Sequence, residues 1–259
     1  LRLLLGTVRM DGIIVIGEGE KDDAPMLYNG EKVGNGRGPQ VDVAVDPVEG
    51  TNLLAKGLAN AIAIVGLAPH GAMWNPGPAF YMDKLVVGPQ AKGKVDLDAP
   101  VADNLQAIAT AKGIHIDEVT VVILDRPRNA AKITAVRQTG ARVRLITDGD
   151  VAPALMAALP ETGIDAVMGI GGTPEGVIQG RLAPQSDAGR HNIEQAGISL
   201  TRKLGLTDFV AGDDHFFAAT GITQGDFLRG VRYTADGAVT HSLVTRSQSG
   251  TWRLIESYH

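Results

Sequence analysis

Short β-branched runs recur along this chain, and most of them stop at a glycine or a cluster of charged side chains. The runs are Gly12 to Ile16, Val41 to Val45, Ala61 to Leu67, Lys84 to Val87, Val119 to Leu124, Ala141 to Ile146 and Ala166 to Ile170. Val231 to Tyr233 and two alternating segments, Val239 to Thr245 and Trp252 to Glu256, follow near the end. Their β-rich composition and period of two predict strands. Helical spacing lies between some of them, over Asn129 to Thr139, Val151 to Leu159 and Ala188 to Leu204. Strands alternating with helices predict a layered α/β fold. The last third, with paired runs around Ser247-Gln248-Ser249-Gly250, reads as antiparallel. The polar, proline-containing stretch Gly88 to Asp103 predicts a join between an N-terminal part, residues 1–89, and a C-terminal part, residues 90–259.

The 259 residues suffice for a sizeable core, and 44% hydrophobic with 20% charged residues is the balance of a globular chain. The net charge is −5 and no Lys/Arg run occurs, which argues against nucleic acid as a partner. The absence of cysteine removes disulfides, thiolate nucleophiles and Cys-based zinc sites, and it fits a cytoplasmic protein. The longest apolar stretch, near Leu58 to Pro69, is too short for the roughly 20 residues that span a bilayer. Leu1-Arg2-Leu3-Leu4-Leu5 reads as the end of a helix that begins before this sequence, not as a signal peptide.

In layered α/β folds ligands gather at the carboxyl ends of strands. After the first run stands Gly17-Glu18-Gly19-Glu20, with Lys21-Asp22-Asp23 behind it. Glu18 and Glu20 share one side of an extended segment, which suits a solvated acidic turn or an oxygen-ligand cation site. After the second run stands Asp46-Pro47-Val48-Glu49-Gly50-Thr51, the most informative stretch. Pro47 suits a first helical position, so Glu49 is expected to point back at Asp46 across one turn. Gly50 and Thr51 would then present backbone amides to a phosphate. Asp125-Arg126-Pro127-Arg128 closes the fifth run and is either a surface turn or a phosphate grip. Thr147-Asp148-Gly149-Asp150 closes the sixth; Asp150 either caps the next helix or joins Asp148 in accepting sugar hydroxyls. Gly171-Gly172-Thr173-Pro174-Glu175-Gly176 closes the seventh. Pro174 replaces the third glycine of a dinucleotide fingerprint, so Glu175 reads as another acidic ligand. Oxygen donors with arginines and no clustered histidine select Mg²⁺ or Mn²⁺.

Taken in order, and with Tyr81-Met82-Asp83-Lys84 added, these motifs closely resemble class II fructose-1,6-bisphosphatases. Those enzymes belong to the lithium-sensitive sugar and inositol phosphatase superfamily, and the likeness runs through essentially the whole chain. The resemblance implies a layered α-β-α-β-α sugar-phosphatase fold with mixed sheets. It implies Glu18, Asp46, Glu49 and Glu175 as metal ligands. Glu49, Gly50, Thr51, Tyr81, Arg126, Pro127, Arg128, Asp148, Gly149, Asp150 and Gly172 are implied as the substrate shell. Thr51, Asp22 and Glu18 would carry the catalysis. The expected substrate is a small sugar bisphosphate, the expected pathway gluconeogenesis, and the expected assembly a homodimer or homotetramer. A sedoheptulose-1,7-bisphosphatase, an inositol or sugar monophosphatase, and a catalytically dead phosphate sensor are the alternatives. The family also carries a helical segment ahead of the point matching Leu1, with a further Asp ligand and a substrate-binding Lys. It has a helix where Val177 here runs almost directly into Gln179.

Overall fold

The computed structural model describes residues 1–18, 26–172, 179–183 and 185–259. The chain divides into two compact units, Leu1–Pro76 with Thr207–His259, and Gly77–Leu206. Each is built on a mixed sheet with helices, so the fold is α/β as expected.

The first unit begins with α1 (Arg2–Leu5), β1 (Asp11–Ile16), β2 (Lys32–Val33), β3 (Gln40–Glu49), α2 (Thr51–Ala55) and β4 (Ile62–Pro69). In the second unit follow β5 (Tyr81–Val87), α3 (Val101–Lys112), β6 (Thr120–Leu124), α4 (Ala130–Gln138), β7 (Arg142–Ile146), α5 (Val151–Ala158), β8 (Ala166–Gly172), β9 (Gln179–Leu182), α6 (Asp187–Gln195) and β10 (Leu204–Gly205). Through α7 (Leu206–Phe209) the chain returns to the first unit, which adds β11 (Phe216–Gly221), β12 (Arg232–Thr234), β13 (Gly237–Arg246) and β14 (Thr251–Tyr258).

Among the described residues, the first sheet runs β12-β13-β11-β4-β3-β1-β2, with β14 also on β13. Only β1 and β3 are parallel there; β11 lies antiparallel between β4 and β13. The second sheet runs β10-β9-β5-β8-β6-β7, with β6 parallel to both β7 and β8. Ile14, Val43 and Val45 put the inner face of the first sheet into one core with Leu5, Met10 and Leu27. In the second unit, α3 and α4 cover one sheet face. Leu105 and Ile108 of α3 meet Ile133 and Val136 of α4 over Leu85, Val121 and Ile123.

Helix α3 was not among the expected elements. Leu105, Ile108 and Ala109 form its buried stripe, Asp103 and Lys112 suit its dipole, and Gly113 ends it in the left-handed region at φ 68°. Leu105 is fully buried, so Leu105→Ala is expected to cost about 3 kcal/mol, read as a lowered midpoint in urea unfolding. Helix α6 is shorter than the expected Ala188 to Leu204. Gly197 turns left-handed at φ 71°, and the Ile198 amide reaches back to the Ile193 carbonyl, which closes the helix. Among the described residues no helix is long and apolar enough to cross a membrane.

Candidate active site

In the first unit, the carboxyl ends of two adjacent parallel strands carry the acidic motifs. Ile16 of β1 is opposite Ala44 of β3. Glu18 stands two residues beyond the first and Asp46 two beyond the second, so the register brings both acids to one end of the sheet. Gly17 is required there. A Cβ at that position would collide with the Leu27 carbonyl oxygen, which accepts the Glu18 amide at 3.0 Å. Leu27 itself is buried in the left-handed region at φ 58°.

The Asp46 to Thr51 stretch differs from its expected shape. Strand β3 does not end at Asp46 but continues to Glu49, with a break in its register against β4 between Asp46 and Glu49. Pro47 therefore occupies an irregular stretch of strand rather than a first helical position. The missing N–H of proline suits a place where ladder pairing lapses. The Val48 amide donates to Asp46 Oδ1 at 2.9 Å, which orients that carboxylate. Glu49 closes the strand opposite Ile62 and is buried. Gly50 then turns left-handed at φ 85°, and its carbonyl accepts the Leu53 and Leu54 amides at 2.9 and 3.1 Å. Helix α2 thus starts at the exposed Thr51 with no side chain capping it.

In the second unit, Tyr81 opens β5 opposite Gly172 of β8. The Arg128 guanidinium lies 4.8 Å from the centroid of the Tyr81 ring, and its Nε donates to the Ile170 carbonyl at 3.0 Å. The ring face and the carbonyl together fix the plane of the fork. Arg126 Nη1 donates to the Asp125 carbonyl at 3.1 Å, and both arginines are half-buried. Asp148 is half-buried beside Gly149, which is left-handed at φ 72°. Asp150 precedes α5 but makes no side-chain cap. Its carboxylate instead meets Lys84 Nζ at 2.6 Å, with both side chains buried.

Two contributors were not singled out from the sequence. One is Asn129. The β6–β8 pairing includes Val121 opposite Ala166 and Val122 opposite Val167. Further along, the Asn129 amide joins these two strands, donating to the Leu124 and Ile170 carbonyls at 3.0 and 3.2 Å and accepting the Ile170 amide at 2.8 Å. Gly169, at φ 124°, leaves the room; a Cβ there would lie 2.9 Å from Asn129 Oδ1. Asn129 thereby ties the Arg126-Pro127-Arg128 turn to the end of β8. The other is Lys84, which the sequence offers as the last residue of Tyr81-Met82-Asp83-Lys84 and as a charge beside the apolar run Leu85-Val86-Val87, with no role attached.

The oxygen donors at the strand ends are chemically suited to a hard divalent cation, and a buried carboxylate such as Glu49 is stable when paired or coordinating. Among the described residues, no group of three or more His, Asp or Glu side chains is gathered to hold a metal ion. Glu20, Asp22 and Glu175 lie outside the described residues.

A family model described as bacterial fructose-1,6-bisphosphatase, glpX-encoded, matches residues 1–259. The chain belongs to that family, the class II fructose-1,6-bisphosphatases. It is 44% identical over 284 aligned residues to fructose-1,6-bisphosphatase 1 class 2 of Escherichia coli strain K12, covering 100% of this chain and 84% of that one. Fructose-1,6-bisphosphatase class 2 of Shigella flexneri matches with the same identity and coverage. The aligned stretch is longer than the 259 residues here, so these bisphosphatases carry internal residues without a counterpart in this chain.

Proposed function

We propose that the chain hydrolyses the 1-phosphate of fructose 1,6-bisphosphate to fructose 6-phosphate and inorganic phosphate, as a cytoplasmic enzyme of gluconeogenesis. The observation that carries this reading is the match of the whole chain to class 2 fructose-1,6-bisphosphatases at 44% identity. The strand-end placement of Glu18, Asp46 and Glu49 and the held fork of Arg128 support it.

Glu18, Asp46 and Glu49, with Glu175, would hold the divalent ions. Mg²⁺ or Mn²⁺ bound there supplies a lowered pKa for the attacking water and positive charge for the leaving oxygen. The protein's own part is positioning and electrostatics. The Gly50 and Thr51 amides, at the start of α2, hold the transferred phosphoryl oxygens. The Thr51 hydroxyl, exposed at that helix start, orients the attacking water, and Asp22 assists in moving its proton. Arg126 and Arg128 grip the phosphate that does not react. Tyr81 and the Ile170 carbonyl keep the Arg128 fork in one plane. Pro127 holds the turn, and Asp148, Gly149, Asp150 and Gly172 line the sugar. A monophosphate substrate offers nothing for the two arginines, which favours a bisphosphate. Trp252, Leu254, Ile255 and Tyr258 are exposed along β14, which supports a homodimer or homotetramer, read by sedimentation.

Phosphate release from fructose 1,6-bisphosphate tests the function. Release is expected with Mn²⁺ or Mg²⁺, loss in EDTA, recovery on adding metal back, and a far slower reaction with inositol monophosphate. A folded protein that releases nothing with either metal overturns the assignment.

A further inference from the structure

Lys84 is the least expected residue on its strand. Side chains of β5 alternate between two faces. Leu85 and Val87 enter the core under α3 and α4, and Asp83 pairs with Lys132 of α4. Lys84 faces the other way, only 3% exposed. Burying an ammonium costs free energy, and a buried ion pair gains little over apolar packing of the same shape. Its place therefore calls for a reason other than stability.

The surroundings supply one. Asp150 Oδ2 sits 2.6 Å from Lys84 Nζ, and Asp150 is free of capping duty at α5. Space for the pair is made by Gly171 of β8. A Cβ there would collide with Asp150 Oδ2 and come within 3.0 Å of Lys84 Nζ and 3.1 Å of a Leu124 methyl. Three segments, β5, β8 and the start of α5, are thus shaped around one carboxylate. A carboxylate has two oxygens and about four acceptor sites, so holding one oxygen leaves the other aimed in a set direction.

We propose that Lys84 is a positioning residue: its ammonium fixes the Asp150 carboxylate in the orientation that accepts a hydrogen bond from a hydroxyl of the sugar. The proposal rests on the reading of Asp150 as part of the sugar-binding shell. Lys84 itself touches no substrate. Its removal leaves Asp150 as a buried charge that must turn toward water or another donor, and the sugar loses its acceptor.

The test measures kcat and KM for fructose 1,6-bisphosphate, at saturating metal, in the wild type, Lys84→Met, Asp150→Asn and the double variant. Each single change is expected to raise KM about tenfold, with kcat held within about twofold. The double variant is expected to be no worse than the poorer single, because both act through one contact. A raised KM in Asp150→Asn with an unchanged KM in Lys84→Met overturns the role of Lys84 and leaves the sugar reading standing. An unchanged KM in Asp150→Asn overturns both. Multiplying effects in the double variant, or kcat falling together with rising KM, marks Lys84 as merely structural. Should Lys84→Met fail to fold, Lys84→Leu, which likewise removes the donor, takes its place with the same outcomes.

Discussion

Glu49→Gln is expected to lower kcat for phosphate release from fructose 1,6-bisphosphate by roughly 10²- to 10³-fold, the size of effect seen when one preorganised electrostatic partner of a reacting group is removed. The substitution keeps the shape of the side chain and removes its charge. Backbone pairing of residue 49 with Ile62 is untouched, so the thermal midpoint should hold to within a few degrees. A carboxamide oxygen is a far weaker ligand for a hard cation than a carboxylate. The concentration of Mn²⁺ needed for half-maximal rate should therefore rise as kcat falls, and excess metal should restore part of the rate. Full turnover at ordinary metal concentration would remove Glu49 from the ligand set.

In the first unit, residue types at strand ends pick out the acidic motifs from the sequence alone. Gly17-Glu18, Asp46 and Glu49-Gly50-Thr51 stand near where apolar runs stop, and the structure puts Glu18 two residues past the end of β1 and Asp46 within β3, its parallel neighbour. What misled was the proline. Pro47 has the φ of a helix start, but the same ring equally fits a lapse in ladder pairing, and only the partner strand decides which. Composition of one segment carries no information about its neighbour across the sheet.

The same limit explains why β11, the longest of the strands outside the expected runs, went unseen. Phe216-Phe217-Ala218-Ala219-Thr220-Gly221 has two alanines and a glycine, so its β character is weak locally. It is nonetheless an interior strand, fully laddered to β4 on one side and β13 on the other. Small side chains are tolerated because Ala219 is wholly buried and packing, not propensity, holds the strand. The chain's return from Leu206 to the first unit is likewise a matter of long-range pairing. Helix α3 escaped for another reason: its first turn follows Pro100 in a polar stretch that reads as a connection. Asn129 was hidden because its role depends on where β6 and β8 lie, and nothing in Arg-Pro-Arg-Asn shows that.

The paired change Arg126→Ala with Arg128→Ala is expected to reduce kcat/KM for fructose 1,6-bisphosphate by about 10³-fold, mostly through KM. Each charge-assisted contact to a phosphate is worth about 1.5–3 kcal/mol, so the range for two of them brackets that factor. The effect should not be equal. Arg128 is held against Tyr81 and the Ile170 carbonyl, so its fork is already oriented before substrate arrives. Among the described residues, Arg126 donates only to its neighbour's carbonyl and is ordered on binding. Arg128→Ala alone should therefore cost more than Arg126→Ala. Arg128→Lys should recover little, because an ammonium neither stacks flat on the ring nor forks to two oxygens. Tyr81→Leu should fall between, loosening the guanidinium without removing its charge. Steady-state kinetics with the bisphosphate and with a sugar monophosphate separates these effects. The double variant should lose its preference for the bisphosphate, since nothing then grips the second phosphate. An unchanged KM for the bisphosphate would take both arginines out of the substrate shell and return the Arg126-Pro127-Arg128 turn to the protein surface.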